Sequence, residues 1–243
     1  MKFVNFIKGS FQKFLYSKGY EVFRIAEDIS SQDMQIINQV RPFTVTDTSA
    51  LKSLIHSVKH IIENNIPGDF VECGVWRGGS IITIIKVLQQ MGIKDRTIHL
   101  FDTFEGLNSP TEVDVRVSGE IASESDYVKL GEDPLVKFDS VVKRIQSEGY
   151  PQDKIIFHKG EVEQTLQKNS LDCIALLRLD TDWYESTKIE MEVLYPKVVN
   201  GGIVIIDDYG IWKGAKQAVD EYFKDDLPYL HYVDYSCRVI IKS

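Results

Sequence analysis

Short apolar runs alternate with amphipathic segments along most of the chain. Apolar residues at helical spacing predict helices, and short apolar runs bounded by turn residues predict strands. These patterns predict five strands, at 69–73, 97–102, 154–158, 174–180 and 203–207. They also predict helices at 48–65, 80–91, 134–148, 184–198 and 213–223. Strands that alternate with helices are typical of an α/β fold with a doubly wound, mostly parallel sheet.

Two segments depart from this alternation. Runs at 229–234 and 238–242 predict two strands that close the sheet as a C-terminal antiparallel hairpin. The segment 106–132 is polar, rich in carboxylates and only weakly periodic. Because it leaves from the carboxyl edge of the sheet, it could be a lid over a substrate, but a disordered surface excursion is an equally good interpretation.

The first 40 residues precede the α/β pattern and are interpreted as an N-terminal arm, with the main domain at 41–243. The pattern of the arm predicts an amphipathic helix, because apolar residues recur at helical spacing between lysines. These are Phe3, Ile7, Phe11, Phe14 and Leu15. Such a helix could pack on the domain or on a second subunit, and a homo-oligomer is expected. It could also make a peripheral contact with an anionic membrane.

Composition limits the classes of protein that remain. The chain has 243 residues and a net charge of −8, which argues against nucleic-acid binding because that needs a basic face. No apolar run is long enough to span a bilayer, and no convincing signal peptide is present. The widely spaced cysteines fit no zinc pattern, so we expect them to be reduced in a cytoplasmic protein.

Two apolar runs end abruptly in carboxylates. Asp180 and Asp182 follow the fourth predicted strand, and Asp207 and Asp208 follow the fifth. The carboxyl ends of strands in an open parallel sheet form the usual ligand site, so these four groups should converge there. They would repel one another without a cation among them, and a hard divalent cation such as Mg²⁺ prefers oxygen ligands. The pattern therefore predicts a metal-assisted site.

A glycine-rich turn follows the first strand. It contains Glu72, Gly74, Gly78, Gly79 and Ser80, and it matches neither the dinucleotide fingerprint nor a P-loop. The glycines allow a ligand to approach the backbone, while an acidic residue would repel a pyrophosphate and attract an ammonium group. That combination favours S-adenosylmethionine. Asp102, which ends the second strand, would bind the ribose hydroxyls. This order of signals favours a Rossmann-like class I methyltransferase fold.

Five separated motifs resemble those of one known family, the macrocin O-methyltransferases. They lie at 41–46, 68–80, 101–107, 179–187 and 201–209, and the similarity extends from about residue 41 to residue 223. The resemblance implies an O-methyltransferase that depends on S-adenosylmethionine and Mg²⁺. Its acceptor would be a sugar hydroxyl of a glycosylated metabolite or a surface glycan.

The resemblance also implies roles for individual residues. The metal ligands would be Asp180, Asp207 and Asp208, and the general base would be Asp182. The cofactor contacts would be Glu72, Gly74, Ser80 and Asp102. Capping is an alternative role for two of the acids, with Asp182 at a helix start and Asp208 at a turn. Trp76 and Trp183 could give the reacting sulfonium an apolar environment or could be ordinary core residues.

Other functions stay open at this point. A catechol-like or other vicinal-diol acceptor would use the same metal chemistry with a different pocket. A nicotinamide oxidoreductase is disfavoured because its glycine fingerprint is missing, and a non-catalytic binding protein is disfavoured because the set of aspartates is intact.

Overall fold

The computed structural model describes residues 15, 17–18, 28–121, 131–168 and 170–243, and its centre is a seven-stranded sheet. The strands are β1 (Asp69–Cys73), β2 (Ile98–Asp102), β3 (Ile155–Lys159), β4 (Ile174–Leu179), β5 (Val198–Ile206), β6 (His231–Tyr232) and β7 (Arg238–Ile241). Their order in the sheet is β3-β2-β1-β4-β5-β7-β6. Strands β1 to β5 are parallel, and β7 runs antiparallel between β5 and β6. The predicted α/β fold with its C-terminal hairpin is confirmed.

Helices cover the sheet because each carries an apolar stripe that must be buried. They are α1 (Ser31–Val40), α2 (Thr48–Glu63), α3 (Gly79–Gln90), α4 (Phe138–Gln146), α5 (Val162–Thr165), α6 (Tyr184–Leu194) and α7 (Lys213–Phe223). Helices α1, α2 and α3 pack together, and α2 contacts β4 and β5. Helices α5, α6 and α7 supply Val162, Met191 and Val219 to a separate buried cluster with Leu177 and Leu179.

Two helices are shorter in the structure than the ranges that their apolar patterns predicted. In the segment predicted as one helix at 134–148, Lys137 is extended, so a 3₁₀ turn at Pro134–Val136 precedes α4. The helix predicted at 184–198 ends at Leu194, before a 3₁₀ turn that contains Pro196. Proline lacks the N–H that a continuing helix needs. In both cases a local backbone constraint overrides the apolar periodicity.

The fifth strand is longer than predicted. It begins at Val198 rather than at residue 203, so Gly201 and Gly202 lie within it and not in a turn before it. The pairing with β4 shifts register between Ile174 and Leu176, and Gly201 has a φ of +81°. The two glycines therefore form an irregularity within the strand. From the sequence pattern alone, they were predicted to be a turn before the strand.

Most of the predicted N-terminal arm lies outside the described residues, including Phe3, Ile7, Phe11 and Phe14. Its last ten residues are helix α1, which packs on α2 and α3. The compact unit begins at Ser31, ten residues before the predicted boundary at 41. Among the described residues, no helix is long and apolar enough to cross a membrane.

A row of polar side chains crosses strands β1, β2 and β3. His99 Nδ1 lies 3.0 Å from His158 Nε2, and His99 Nε2 lies 3.2 Å from Asp69 Oδ2. The His158 ring also stacks on Phe101, with 4.0 Å between the ring centroids. Burial and the neighbouring His99 lower the pKa of His158 to about 4. His158 is thus part of the sheet and not of a catalytic site.

This shift predicts how stability changes with pH. Between pH 6.5 and 4, His158 is protonated in the unfolded chain but stays neutral in the folded chain. The free energy of unfolding therefore falls as the pH falls. His158→Phe keeps the stacking and should remove about 1–2 kcal/mol of this dependence, given the partial exposure of the group. Urea unfolding at pH 7 and pH 4.5 measures it. Equal pH dependence in both proteins would contradict the assignment.

Candidate active site

The turn after β1 brings the backbone of two strands into contact. Gly74 has a φ of +83°, and its N–H donates to Phe101 O at 2.9 Å. A Cβ at this position would lie 1.9 Å from Asp180 O, so no side chain fits. The absence of a side chain at Gly74 is therefore what lets the glycine turn lie against the acidic end of β4.

Asp102 holds this glycine turn in place from the end of β2. Its Oδ2 accepts hydrogen bonds from Val75 N at 2.6 Å and Trp76 N at 3.0 Å, and its Oδ1 accepts one from Phe104 N at 2.5 Å. Burial raises the pKa of Asp102, and these backbone donors oppose that rise. Trp76 and Phe104 have positive φ values of 49° and 54°. Such strained backbone is common at functional sites.

Two adjoining cavities open at this edge of the sheet. The main cavity has a volume of about 350 Å³, and the second cavity has about 200 Å³. They share a wall made of Gly74, Asp102, Gly106, Leu107, Asp180 and Trp183. Of the residues predicted to contact a cofactor, Gly74, Ser80 and Asp102 line the main cavity. The structure does not bring Glu72 to either wall; it is 1% exposed and lies behind the cavity.

Glu72 instead faces a buried arginine. Arg178 is 2% exposed in the middle of β4 and is the register partner of Glu72 on β1. Its Nη1 donates to Glu72 Oε1 and to Asp180 Oδ2, both at 2.6 Å. Its Nη2 lies 3.1 Å from Asp207 Oδ1. A guanidinium therefore lies among the acidic strand ends, where the sequence had suggested only a metal ion.

The predicted metal ligands lie together. Asp180 and Asp207 directly follow β4 and β5, and each N–H donates to the neighbouring strand at 2.9 Å. One carboxylate oxygen from each of Asp180, Asp207 and Asp208 lies within 4.8 Å of the others. Burial raises the pKa of all three carboxyl groups, and repulsion between neighbouring carboxylates adds to the rise. When all three carboxyl groups are ionised, they carry more negative charge than the single positive charge of Arg178.

Asp182 lies beside that trio and is bonded to one of its members. Its φ is +67°, and its N–H donates to Asp208 Oδ2 at 3.0 Å. Its Oδ1 accepts a hydrogen bond from Trp212 Nε1 at 2.8 Å. Burial, followed by the charge of Asp180, raises the pKa of the Asp182 carboxyl group. This carboxylate lines the main cavity and favours holding a proton more than an exposed aspartate does.

The capping roles considered for these acids do not occur. The backbone N–H of Tyr184 at the start of α6 donates to Asp114 Oδ1 at 2.8 Å, so a residue of the 106–132 segment caps that helix instead of Asp182. Asp208 accepts from Asp182 N through its side chain rather than capping a local turn. Both aspartates are therefore available to the cavity.

The described part of the insertion, residues 106–121, is bound to the rest of the domain. Asp114 is 1% exposed, Val117 N donates to Ile211 O at 2.7 Å, and Lys213 N donates to Val115 O at 2.9 Å. From this segment, Gly106, Leu107 and Arg116 line the main cavity. The interpretation as a disordered excursion is wrong for this part of the segment.

Aromatic rings complete the wall. Trp183 and Trp212 meet edge to face with 4.9 Å between their centroids, and both line the main cavity. Trp76 also lines it. Sequence reasoning missed Arg178, Asp114 and Trp212. Only Arg178 left a signal, since a charged residue between Leu177 and Leu179 in an apolar strand is unusual.

The strand order, the glycine turn and Asp102 define a class I methyltransferase fold, the class that uses S-adenosylmethionine. Comparison with known proteins identifies the family. The sequence profile described as Macrocin-O-methyltransferase (TylF) matches residues 3–237. The chain belongs to this family and is an S-adenosylmethionine-dependent O-methyltransferase, as its motifs predicted.

Three relatives illustrate the similarity. Demethyldecarbamoylnovobiocin O-methyltransferase of Streptomyces niveus is 35% identical over 180 residues, which cover 74% of this chain and 67% of that protein. A Streptomyces olivaceus enzyme, 8-demethyl-8-(2,3-dimethoxy-alpha-L-rhamnosyl)-tetracenomycin-C 4'-O-methyltransferase, is 34% identical over 74% of this chain and 67% of its own. The solved structure of the O-methyltransferase NovP superposes with a TM-score of 0.71 at 32% identity, covering 83% of this chain and 82% of that one.

The close contact between Gly74 and Asp180 predicts that a side chain at position 74 lowers the stability of the fold. Gly74→Ala should destabilise the fold by more than about 3 kcal/mol, because the new Cβ overlaps the Asp180 carbonyl. Gly149→Ala is the matched control, because Gly149 has a φ of +75° and nothing within 4 Å of the added Cβ. It should cost only about 1–2 kcal/mol. Denaturant unfolding compares them, and equal losses would show that the contact is not the cause.

Proposed function

We propose that this enzyme transfers a methyl group to a sugar hydroxyl of a glycosylated metabolite or a surface glycan, with the help of Mg²⁺. Asp180, Asp207 and Asp208 hold the cation, and Asp182 takes the proton of the acceptor hydroxyl. The observation that carries the proposal is the convergence of four carboxylates, three of which offer oxygens within 4.8 Å of one another, while the fourth, Asp182, accepts a hydrogen bond from Trp212.

The trio fits a hard divalent cation. It offers three carboxylate oxygens within 4.8 Å of one another, which is the ligand type that Mg²⁺ prefers. Arg178 engages one oxygen each of Asp180 and Asp207, and each of these carboxylates has a second oxygen. Burial, and after it the neighbouring carboxylates, raises the pKa values of Asp180 and Asp207, and a bound cation would favour their ionised forms.

The two cavities fit an elongated methyl donor. Gly74, Asp102 and Asp180 belong to both walls, so one ligand can extend from the main cavity into the second. In this arrangement the ligand contacts the backbone at Gly74, Ser80 lies on the wall of the main cavity, and Asp102 accepts hydrogen bonds from the ribose hydroxyls. Glu72 acts from behind the wall by fixing Arg178.

The proton transfer belongs to Asp182. Bound Mg²⁺ would lower the pKa of neighbouring acceptor hydroxyls. Asp182 is the carboxylate least suited to hold that cation, since it lies outside the trio. Burial raises its pKa toward the range in which a general base works best at neutral pH. Trp183 and Trp212 are buried on the cavity wall, and their apolar rings lower the local polarity, which strengthens electrostatic interactions nearby.

The family and the aromatic wall support a sugar as the acceptor. One relative acts, by its name, on a rhamnosyl group. Trp183, Trp212 and residues of the insertion line the main cavity, and we propose that the insertion forms the acceptor wall and acts as a lid. The three cysteines are free, which supports a reducing, cytoplasmic location. A homo-oligomer and a membrane contact of the arm stay predictions.

Mass spectrometry of the product tests the proposal. The enzyme is incubated with S-adenosylmethionine and three panels of acceptors: glycosides with vicinal hydroxyls, the same glycosides lacking one of them, and catechols. We expect a gain of one methyl group on the first panel only, abolished by a chelator and restored by Mg²⁺. Methylation of catechols alone, or transfer that a chelator does not affect, would contradict the proposal.

Removing one charge from the trio should weaken cation binding. Asp207→Asn should lower the affinity for Mg²⁺ by at least about tenfold, because a carboxylate ligand is replaced by a neutral amide. Calorimetry in the presence of S-adenosylhomocysteine measures it without turnover. Asp225→Asn, at an exposed position, is the control and should bind Mg²⁺ like the unchanged protein. Equal affinity in both variants would exclude Asp207 as a ligand.

Removing the base should slow the chemical step only. Asp182→Asn keeps an oxygen that can accept from Trp212 but cannot take a proton. The kcat should fall by about 10²-fold to 10⁴-fold, while the affinities for S-adenosylmethionine and Mg²⁺ change little. Steady-state kinetics and calorimetry report the two quantities separately. A variant with nearly normal kcat would require another base.

A further inference from the structure

We propose that Trp212 positions the general base, by donating its indole N–H to Asp182, and that the insertion holds Trp212 in place. The inference rests on the proposed function, in which Asp182 takes the acceptor proton. It adds a residue outside every motif by which the sequence predicted the site, and it assigns a mechanical role to the 106–121 segment.

Asp182 needs an external anchor for its carboxylate. Its backbone has a φ of +67° and its N–H is held by Asp208 Oδ2 at 3.0 Å, so the main chain is fixed. The carboxylate can still rotate about its own bonds. The 2.8 Å hydrogen bond from Trp212 Nε1 to Oδ1 stops that rotation and sets which oxygen an acceptor hydroxyl meets. A general base must lie within hydrogen-bond reach of the proton that it takes.

The indole is rigid enough to serve as this anchor. Trp212 is 8% exposed, and its backbone N–H donates to Asp208 O at 3.0 Å. Its ring packs edge to face on Trp183 at 4.9 Å, and the Arg116 guanidinium lies 5.0 Å above it. A buried indole N–H needs an acceptor, which further favours the bond to Asp182.

The insertion is bonded to the backbone on both sides of Trp212 in the sequence. Arg116 pairs with Trp212 in a short antiparallel bridge. The residues flanking Trp212 are bonded to the insertion as well, through Val117 N to Ile211 O at 2.7 Å and Lys213 N to Val115 O at 2.9 Å. The segment that lines the acceptor side of the main cavity therefore also determines where the base stands. The same segment would therefore position both the acceptor and the general base.

Kinetics of two matched variants test this role. Trp212→Phe keeps an aromatic ring beside Trp183 and Arg116 but removes the N–H. We expect kcat to fall about tenfold or more, with the KM for S-adenosylmethionine unchanged, because the base is misplaced and the donor site is not. Trp183→Phe removes an indole N–H that donates to Asn108 O at 2.8 Å instead, so it should affect the acceptor KM more than kcat. Similar losses of kcat in both variants would overturn the proposal.

A second readout needs no turnover and no folded Trp212 variant. The indole N–H resonances of Trp76, Trp183 and Trp212 are assigned in the unchanged protein and in Asp182→Ala. The Trp212 resonance should move upfield, as expected for a lost hydrogen bond, and the other two should shift less. If Trp212 does not shift, the bond is absent and the proposal fails. If no sugar is methylated but Trp212 shifts, the proposed function fails while the contact stands.

Discussion

The buried guanidinium of Arg178 is the interaction on which the active edge of this protein depends. It joins Glu72 on β1, Asp180 after β4 and Asp207 after β5, so one cation ties three adjacent strands together. Breaking a buried pair of this kind typically costs about 3–5 kcal/mol, because it leaves charges that water cannot reach. The same cation lets several carboxylates lie close together before any ligand arrives.

Arg178 also sets what the site can still bind. It compensates one negative charge, whereas Asp180, Asp207 and Asp208 converge above it and Asp182 stands beside them. The remaining negative charge can be relieved by protons, as the raised pKa values of these carboxyl groups indicate, or by cationic ligands. A divalent cation and a positively charged methyl donor are chemically suited to relieve it, and the two cavities share the wall where both would lie.

The sequence predicted the fold and the acidic cluster for one physical reason: parallel strands all end at the same edge of a sheet. Alternating patterns located the strands, and the residues after β4 and β5 then had to meet. It could not predict partners set by tertiary contacts. Glu72 and Arg178 are 106 positions apart, and Asp114 caps a helix 70 positions away. Trp212 has no local pattern that marks it as a partner of Asp182, and the division of the helix predicted at 134–148 depends on one extended residue, Lys137.

We propose that the trio of aspartates holds a divalent cation beside the methyl donor. The most direct measurement is anomalous X-ray scattering from crystals grown with Mn²⁺, as a substitute for Mg²⁺, and S-adenosylhomocysteine. We expect a manganese peak within bonding distance of Asp180, Asp207 and Asp208, with Asp182 outside the coordination sphere. A fully occupied donor site without a manganese peak at these carboxylates, or a peak bound by Asp182 in place of the trio, would contradict it.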